Sequence, residues 1–121
     1  MNNKKYFINL TNHPSVEWGE EQLRAAEAFG EIVDMPFPVI DPESTSEEVN
    51  ILAEMTIKQI RSLNANPVVH VMGEMTFTYA LVFRLKALGI RCMASTTVRT
   101  VRMMPGGKKI SEFKFVQVRD Y

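Results

Sequence analysis

Strand-like and helix-like segments alternate along most of this chain, and that alternation restricts the possible folds more than any other feature. The clearest strand is Val68–Met72, an almost continuous apolar, β-branched run. Such a run is typical of a strand covered on both faces of a parallel sheet. Parallel strands need long crossover connections, which are usually helices. The alternation therefore predicts an α/β fold.

The remaining elements follow from periodicity and from turn residues. Strands are predicted at residues 6–10, 31–35, 68–72 and 90–94, and helices at residues 15 or 18 to 29, from 44–46 to 63, and 77–88. Residues 98–104 and 109–118 are also strand-like, and the Pro-Gly-Gly-Lys segment at 105–108 joins them. The chain is therefore expected to close with a hairpin.

Local signals mark the ends of these elements. Thr45 and Glu48, or Ser44 and Glu47, have the spacing of a capping box at the start of the second helix. Residues 64–67, Asn-Ala-Asn-Pro, are expected to end that helix, and Gly30 and Gly89 follow the other two. Prolines at 36 and 38 close the second strand, and residues 37–43 are predicted to be an extended connection.

The element order predicts a Rossmann-like three-layer α/β sandwich with a mainly parallel sheet and a C-terminal antiparallel hairpin. The expected strand order is 2-1-3-4-5. At 121 residues, the chain has room for a single domain, residues 1–121.

Composition excludes several classes of function. Fourteen basic residues balance fourteen acidic ones, so neither long duplex nucleic acid nor an anionic membrane is an expected partner. The charged N-terminal residues 1–5 precede only a short apolar run, and no stretch is long enough to span a bilayer. The single cysteine, Cys92, is expected to be a core residue in a reducing compartment, which predicts a cytoplasmic protein.

Known cofactor and metal motifs are missing from the sequence. It contains no G-x-G-x-x-G, no G-x-x-x-x-G-K-[ST] and no H-E-x-x-H, and its only histidines are His13 and His70. We therefore expect no cofactor and no protein-bound metal.

Polar residues follow three of the predicted strands. In open α/β sheets, ligands bind beyond the carboxyl ends of the strands, at the point where the strand order reverses. The expected order places the turns after strands one and three beside this point, with the segment after strand four next to them. The candidate ligand-binding residues are Thr11, Asn12, Gly73, Met75, Thr76, Ser95, Thr96 and Thr97, and the candidate catalytic residues are His13, Glu74 and Arg99.

These residue types suit a nucleotide or phosphate, although each has a structural alternative. Hydroxyls and a guanidinium such as that of Arg99 bind phosphate oxygens, but turn hydroxyls and exposed arginines are common without any ligand. His13 has a ligand-binding or acid–base role, to which imidazole as a residue type is suited, or it is simply a turn residue. Glu74 either contacts ligand or stabilises a helix N-terminus. His70 lies within an apolar strand and is expected to be a satisfied core residue.

Four segments together resemble small CRISPR-associated ring-nuclease and CARF-like proteins. They are NLTNHPS at 9–15, DMPFP at 34–38, GEMT at 73–76 and ASTTVR at 94–99. The resemblance implies a Rossmann-like homodimer that binds cyclic oligoadenylate, in particular cyclic tetra-adenylate, across the dimer cleft. It also implies metal-independent cleavage by attack of a ribose 2′-hydroxyl in type III CRISPR signalling, with Arg99 and hydroxyls on phosphate and His13 or Glu74 in proton transfer.

Two alternatives to a ring nuclease stay open at this point. One is a non-catalytic nucleotide-binding or sensor domain of the same fold. The other is an interaction subunit whose loops are only turns and whose apolar residues Phe113, Phe115, Val116 and Val118 serve dimerisation.

Overall fold

One five-stranded sheet organises the chain. The computed structural model describes residues 4–64 and 66–121. The strands are β1 (Tyr6–Thr11), β2 (Glu31–Asp34), β3 (Val68–Met72), β4 (Arg91–Met103) and β5 (Lys109–Asp120). Their order in the sheet is β2-β1-β3-β4-β5. The first four are parallel to one another and β5 pairs antiparallel with β4. The fold is therefore α/β with a mixed sheet, and the predicted strand order is confirmed.

Three helices connect the parallel strands. They are α1 (Glu20–Glu27), which follows a single 3-10 turn at Ser15–Glu17, α2 (Ser46–Leu63) and α3 (Met75–Ala87). The Thr45–Glu48 capping box is confirmed, because the Thr45 hydroxyl accepts from the Glu48 N–H while the Glu48 carboxylate accepts from the Thr45 N–H. Residue 65 of the predicted helix end, like residues 1–3 at the charged N-terminus, lies outside the described residues.

Alternation along the strands divides the buried side chains into two clusters. Ile8 and Leu10 of β1 belong to a large cluster that also contains buried residues of α2 and α3. Phe7, which directly precedes Ile8, belongs to a smaller cluster with Ala26 of α1, Val68 and Met93. Successive strand residues point to opposite faces of a sheet. The α1 face of the sheet therefore carries Phe7, Asn9 and Thr11.

Cys92 lies within the larger cluster, as expected for a core cysteine. Only 3% of the residue is exposed. Burial raises the pKa of its thiol to about 11, so the thiol stays protonated at neutral pH.

The predicted turn at Ser95, Thr96 and Thr97 is wrong. These residues lie inside β4, which continues to Met103 and pairs with β5 from Met93 onward. The register changes between Thr96 and Thr97, because Val116 of β5 is an extra residue without a partner in β4, which is a bulge in β5. Threonine favours extended backbone as well as turns, so the long partner strand decides the conformation.

Beyond the bulge, β4 and β5 form a two-stranded projection from the sheet. The register of β4 with β3 covers only Arg91, Cys92 and Met93. We call residues 97–118 the arm. It extends past the carboxyl end of β3, the same edge of the sheet at which the polar turns gather.

Candidate functional site

A chain of hydrogen-bonded side chains crosses four strands on the α1 face of the sheet. The register places Asn9 beside His70, and His70 beside Met93, two residues before Ser95. The Asn9 Oδ1 lies 3.0 Å from His70 Nδ1, and His70 Nε2 lies 2.7 Å from the Ser95 Oγ. Asn9 Nδ2 donates to Asp34 Oδ1 at the end of β2, at 2.8 Å. We call Asp34, Asn9, His70 and Ser95 the relay.

The direction of each hydrogen bond in the relay follows from Asp34. Burial acts to raise the pKa of this carboxyl, but hydrogen bonds from Asn9 and Ser15 hold it below its ordinary value. An ionised carboxylate only accepts, so Asn9 must present its NH₂ group to Asp34 and its oxygen to His70. Asn9 Nδ2 also donates to the His13 carbonyl at 2.9 Å, which supports the same amide orientation.

The orientation of Asn9 fixes the tautomer of His70. Because the Asn9 oxygen accepts, His70 carries its proton on Nδ1 and presents the lone pair of Nε2 to the Ser95 hydroxyl. Burial lowers the pKa of His70 to about 4, so the imidazole is neutral at pH 7. The Ser95 Oγ additionally accepts from Gln22 Nε2 of α1, at 3.1 Å. The Ser95 hydroxyl therefore donates a hydrogen bond to the His70 imidazole, a base whose orientation Asn9 fixes.

Aromatic rings hold the imidazole in place. Phe7 stacks on His70 with ring centroids 5.3 Å apart, and Trp18 meets it edge-on at 5.5 Å. The indole N–H of Trp18 donates to the His13 carbonyl at 3.1 Å. Packing therefore restricts the rotation of the His70 ring about its side-chain bonds.

Ser95 and His70 line an open pocket of about 610 Å³ at the carboxyl edge of the sheet. Aromatic and apolar atoms of Trp18, Met72 and Phe113 share the wall with polar groups. A ligand site commonly combines apolar walls with a few convergent polar groups, as this pocket does. The other lining residues are Thr11, Asn12, His13, Glu17, Gln22, Gly73 and Thr97.

The structure brings together only part of the predicted site. Six predicted residues line the pocket with the relay: Thr11, Asn12, His13, Gly73, Ser95 and Thr97. Glu74, Met75 and Thr76 line a second pocket, bounded by residues 40–46 and by α2 and α3. Thr96 lines neither of these pockets, and its hydroxyl donates to the Gln117 carbonyl.

Glu74 serves as the N-cap of α3 in this structure. Its carboxylate accepts from the Phe77 N–H at 2.7 Å and from the Thr76 hydroxyl at 2.6 Å. These hydrogen bonds, that from Thr76 first, hold the pKa of Glu74 below its ordinary value. Glu74 therefore stabilises the N-terminus of α3, which was the structural alternative to a ligand contact.

Arg99 lies on the exposed arm. Its guanidinium donates to the Ser111 hydroxyl at 2.9 Å, and its partner across the strand pair is Phe113. Cross-strand partners share a face of a hairpin, and Phe113 borders the pocket. Arg99 is thus on the pocket-facing side of the arm, next to a lining residue.

Glycine is needed at position 73, in the pocket wall, because the Phe37 ring packs directly against it. A Cβ at this position would lie 2.3 Å from the ring of Phe37, which packs edge-on against Phe77. Any other side chain would require the Phe37 ring or the backbone at Gly73 to move.

Asn9, Asp34 and Gln22 are members of the site that sequence reasoning did not select. His70 was expected to be a satisfied core residue, and it is: only 2% of it is exposed and both ring nitrogens are hydrogen-bonded. One of those partners, however, lines the pocket. The available signal was polarity at alternate positions, because Asn9 and Thr11 on β1 and His70 on β3 interrupt apolar runs on one face.

Two further findings describe the chain outside this pocket. Over residues 4–64 and 66–121, no group of three or more His, Cys, Asp or Glu side chains is arranged to hold a metal ion. Within the same ranges, no helix has the length and apolarity needed to cross a membrane.

Fold and site together define an α/β protein with a hydroxyl–imidazole–amide relay at the carboxyl edge of its sheet. The model of the family described as the uncharacterized protein MJ1673 family matches residues 5–119. The chain therefore belongs to that family. Among curated proteins, none matches the chain.

Proposed function

We propose that this protein is a ring nuclease that binds cyclic oligoadenylate in the pocket and cleaves it without a metal ion. The observation that carries the proposal is the relay, whose hydroxyl end opens into a cavity of about 610 Å³. The resemblance of segments 9–15, 34–38, 73–76 and 94–99 to ring nucleases supports the choice of substrate. The proposal includes a cytoplasmic homodimer and a Rossmann-like three-layer arrangement. The two buried clusters, one on each face of the sheet, support the three-layer arrangement.

The proposed reaction uses the substrate's own nucleophile. A ribose 2′-oxygen attacks the adjacent phosphorus, the bond from phosphorus to the 5′-oxygen breaks, and a cyclic 2′,3′-phosphate forms. The 2′-hydroxyl passes its proton to the Ser95 Oγ while Ser95 passes its own to His70 Nε2. The leaving 5′-oxygen takes a proton from water or from His13, which lines the same pocket.

Positioning accounts for the rest of the proposed catalysis. In-line attack requires the ribose and phosphate to be held in one geometry. The hydroxyls of Thr11 and Thr97 line the pocket, and Arg99 lies beside Phe113 at its rim. Hydroxyl and guanidinium groups can stabilise the charge that develops on phosphate. The ring faces of Trp18 and Phe113 offer stacking surfaces for adenine.

A second candidate mechanism makes Ser95 the nucleophile. A hydroxyl that donates to a neutral, oriented imidazole is the arrangement of covalent catalysis. Ser95 would then pass its proton to His70 Nε2 and bond to phosphorus while one sugar oxygen leaves and takes that proton. Water would hydrolyse the resulting diester between Ser95 and the oligoadenylate, which releases a terminal phosphate and restores the Ser95 hydroxyl. The two mechanisms leave different terminal groups on the linear product. Attack by the ribose 2′-oxygen leaves a cyclic 2′,3′-phosphate, and the covalent route through Ser95 leaves an ordinary terminal phosphate.

The test compares Ser95→Ala with Thr96→Ala on radiolabelled cyclic tetra-adenylate in excess EDTA. Removal of a proton-transfer group is expected to lower the cleavage rate by about 10²-fold or more, whereas Thr96→Ala should stay within about threefold. Mass spectrometry of the wild-type products identifies the end group. Binding detected by calorimetry without any cleavage would support the non-catalytic sensor instead, and neither binding nor cleavage would refute the substrate assignment.

A further inference from the structure

The hydrogen-bond directions of the relay continue to Gln22, in the first turn of α1. Because His70 Nε2 carries no proton, the Ser95 hydroxyl must donate across the 2.7 Å that separates the two atoms. A hydroxyl has one proton, so the Ser95 Oγ can only accept from a further protein group. Gln22 therefore presents its NH₂ group to that oxygen, at 3.1 Å. The orientation of this amide is thus determined by side chains inside the sheet.

The carbonyl oxygen of Gln22 stays available for a ligand. Gln22 is half-buried and lines the pocket of about 610 Å³ together with Ser95. Its Oε1 accepts no hydrogen bond from residues 4–64 or 66–121. If the amide turned over, this oxygen would face the Ser95 Oγ with no proton between them, and a hydrogen bond would be lost. The pocket therefore presents an acceptor, and not a donor, at this point.

A fixed acceptor distinguishes between the parts of a nucleotide. Phosphate oxygens only accept and are disfavoured beside it, whereas a ribose hydroxyl can donate or accept and is not selected. The Glu17 carboxylate lines the same pocket and also disfavours phosphate on this side. Base edges differ, because the 6-amino group of adenine donates and the 6-oxo group of guanine or hypoxanthine accepts. The rings of Trp18 and Phe113 provide faces on which a base can stack.

We infer that Gln22 determines which base the pocket binds: its Oε1 accepts a hydrogen bond from the 6-amino group of adenine and disfavours a 6-oxo group. The inference rests on the nucleotide ligand of the proposed function and adds a residue that sets its specificity. Ser95 has two roles in this arrangement, because it also holds the Gln22 amide in the orientation that accepts.

The base preference should therefore depend on Ser95, although Ser95 does not contact the base. Ser95→Ala removes the acceptor for Gln22 Nε2, so the amide can turn and pair with either an amino or an oxo group. Gln22→Leu removes both polar groups of the amide and pairs with neither. Both variants are expected to lose the preference for adenine, for different reasons.

Stopped-flow fluorescence measures this preference before turnover. The single tryptophan of the chain, Trp18, lines the pocket and reports binding. The two ligands are cyclic tetra-adenylate and cyclic tetra-inosinate, whose bases carry an amino and an oxo group at C6. The wild type is expected to bind the adenylate ring about tenfold or more tightly, as base-edge hydrogen bonds allow. In Gln22→Leu and in Ser95→Ala the two affinities should agree within about threefold.

Gln117→Leu is the matched control, since Gln117 is exposed on β5 outside the pocket; it should keep the wild-type ratio. A preference that persists in Gln22→Leu or Ser95→Ala overturns the inference. Equal binding of both rings by the wild type also overturns it, and the cleavage assay then decides on the nuclease separately. Preference for the adenylate ring without any cleavage supports base selection by Gln22 and refutes the nuclease. Binding of neither ring overturns both proposals.

Discussion

Acid should destabilise this protein through His70. Its pKa is lowered from 6.5 to about 4 because burial disfavours the imidazolium form. Between these two values the unfolded chain binds a proton that the folded chain does not, so folding is weakened as pH falls. The contribution of neutral His70 is complete above the unfolded value, and about 3 kcal/mol is lost by the time pH reaches the folded value. Between pH 7 and 5 the loss is about 2 kcal/mol.

Urea unfolding at several pH values measures this effect in the wild type and in His70→Gln. Glutamine does not titrate. Between pH 7 and 5 the free energy of unfolding of His70→Gln should therefore fall by about 2 kcal/mol less than that of the wild type. The matched control is His13→Gln, which removes the other histidine at an exposed position. If the free energies of unfolding of wild type and His70→Gln change equally with pH, the pKa of His70 is not lowered. A constant loss of stability in the variant does not affect this comparison.

Three further variants test other parts of the structure. Asn9→Asp combined with Asp34→Asn, which leaves a single carboxylate in the relay, should raise the pKa of His70, because a carboxylate beside Nδ1 stabilises the imidazolium; an NMR titration of the His70 ring that shows no rise would contradict the relay geometry. Gly73→Ala should lower the free energy of unfolding by about 1–3 kcal/mol through its clash with Phe37, and a neutral result would show that the loop adapts freely. Thr45→Ala should cost about 1 kcal/mol in thermal unfolding through loss of the α2 cap, with Ser46→Ala expected to cost less.

Much of the fold could be predicted from local pattern. The alternation of strands and helices, the box at Thr45 and Glu48, and the final hairpin depend on periodicity, capping groups and turn residues that lie close together in sequence. The strand order was also predictable, because parallel strands joined through helices have few common arrangements, of which 2-1-3-4-5 is one. The error at Ser95 has the opposite origin, since the distant strand β5 holds that segment extended.

The site was harder to predict than the fold because it depends on register. His70 and Asn9 are 61 residues apart, and only the pairing of β1 with β3 makes them neighbours. Alternation could place each side chain on a face, but not the partner across the strand gap. The resemblance therefore left His13 or Glu74, both in turns after strands, as the candidate proton-transfer group. The relay instead uses the buried histidine.

Because Cys92 is buried, the reactivity of its thiol measures how often the sheet opens around it. As the sole cysteine in the sequence, with a pKa near 11, it should react with disulfide reagents only when the neighbouring β3 and β4 separate. The rate of thiol exchange, compared with that of the unfolded chain, then gives the free energy of that opening under native conditions. A substitution in the relay could be assessed in this way for its effect on one part of the sheet, without any introduced probe.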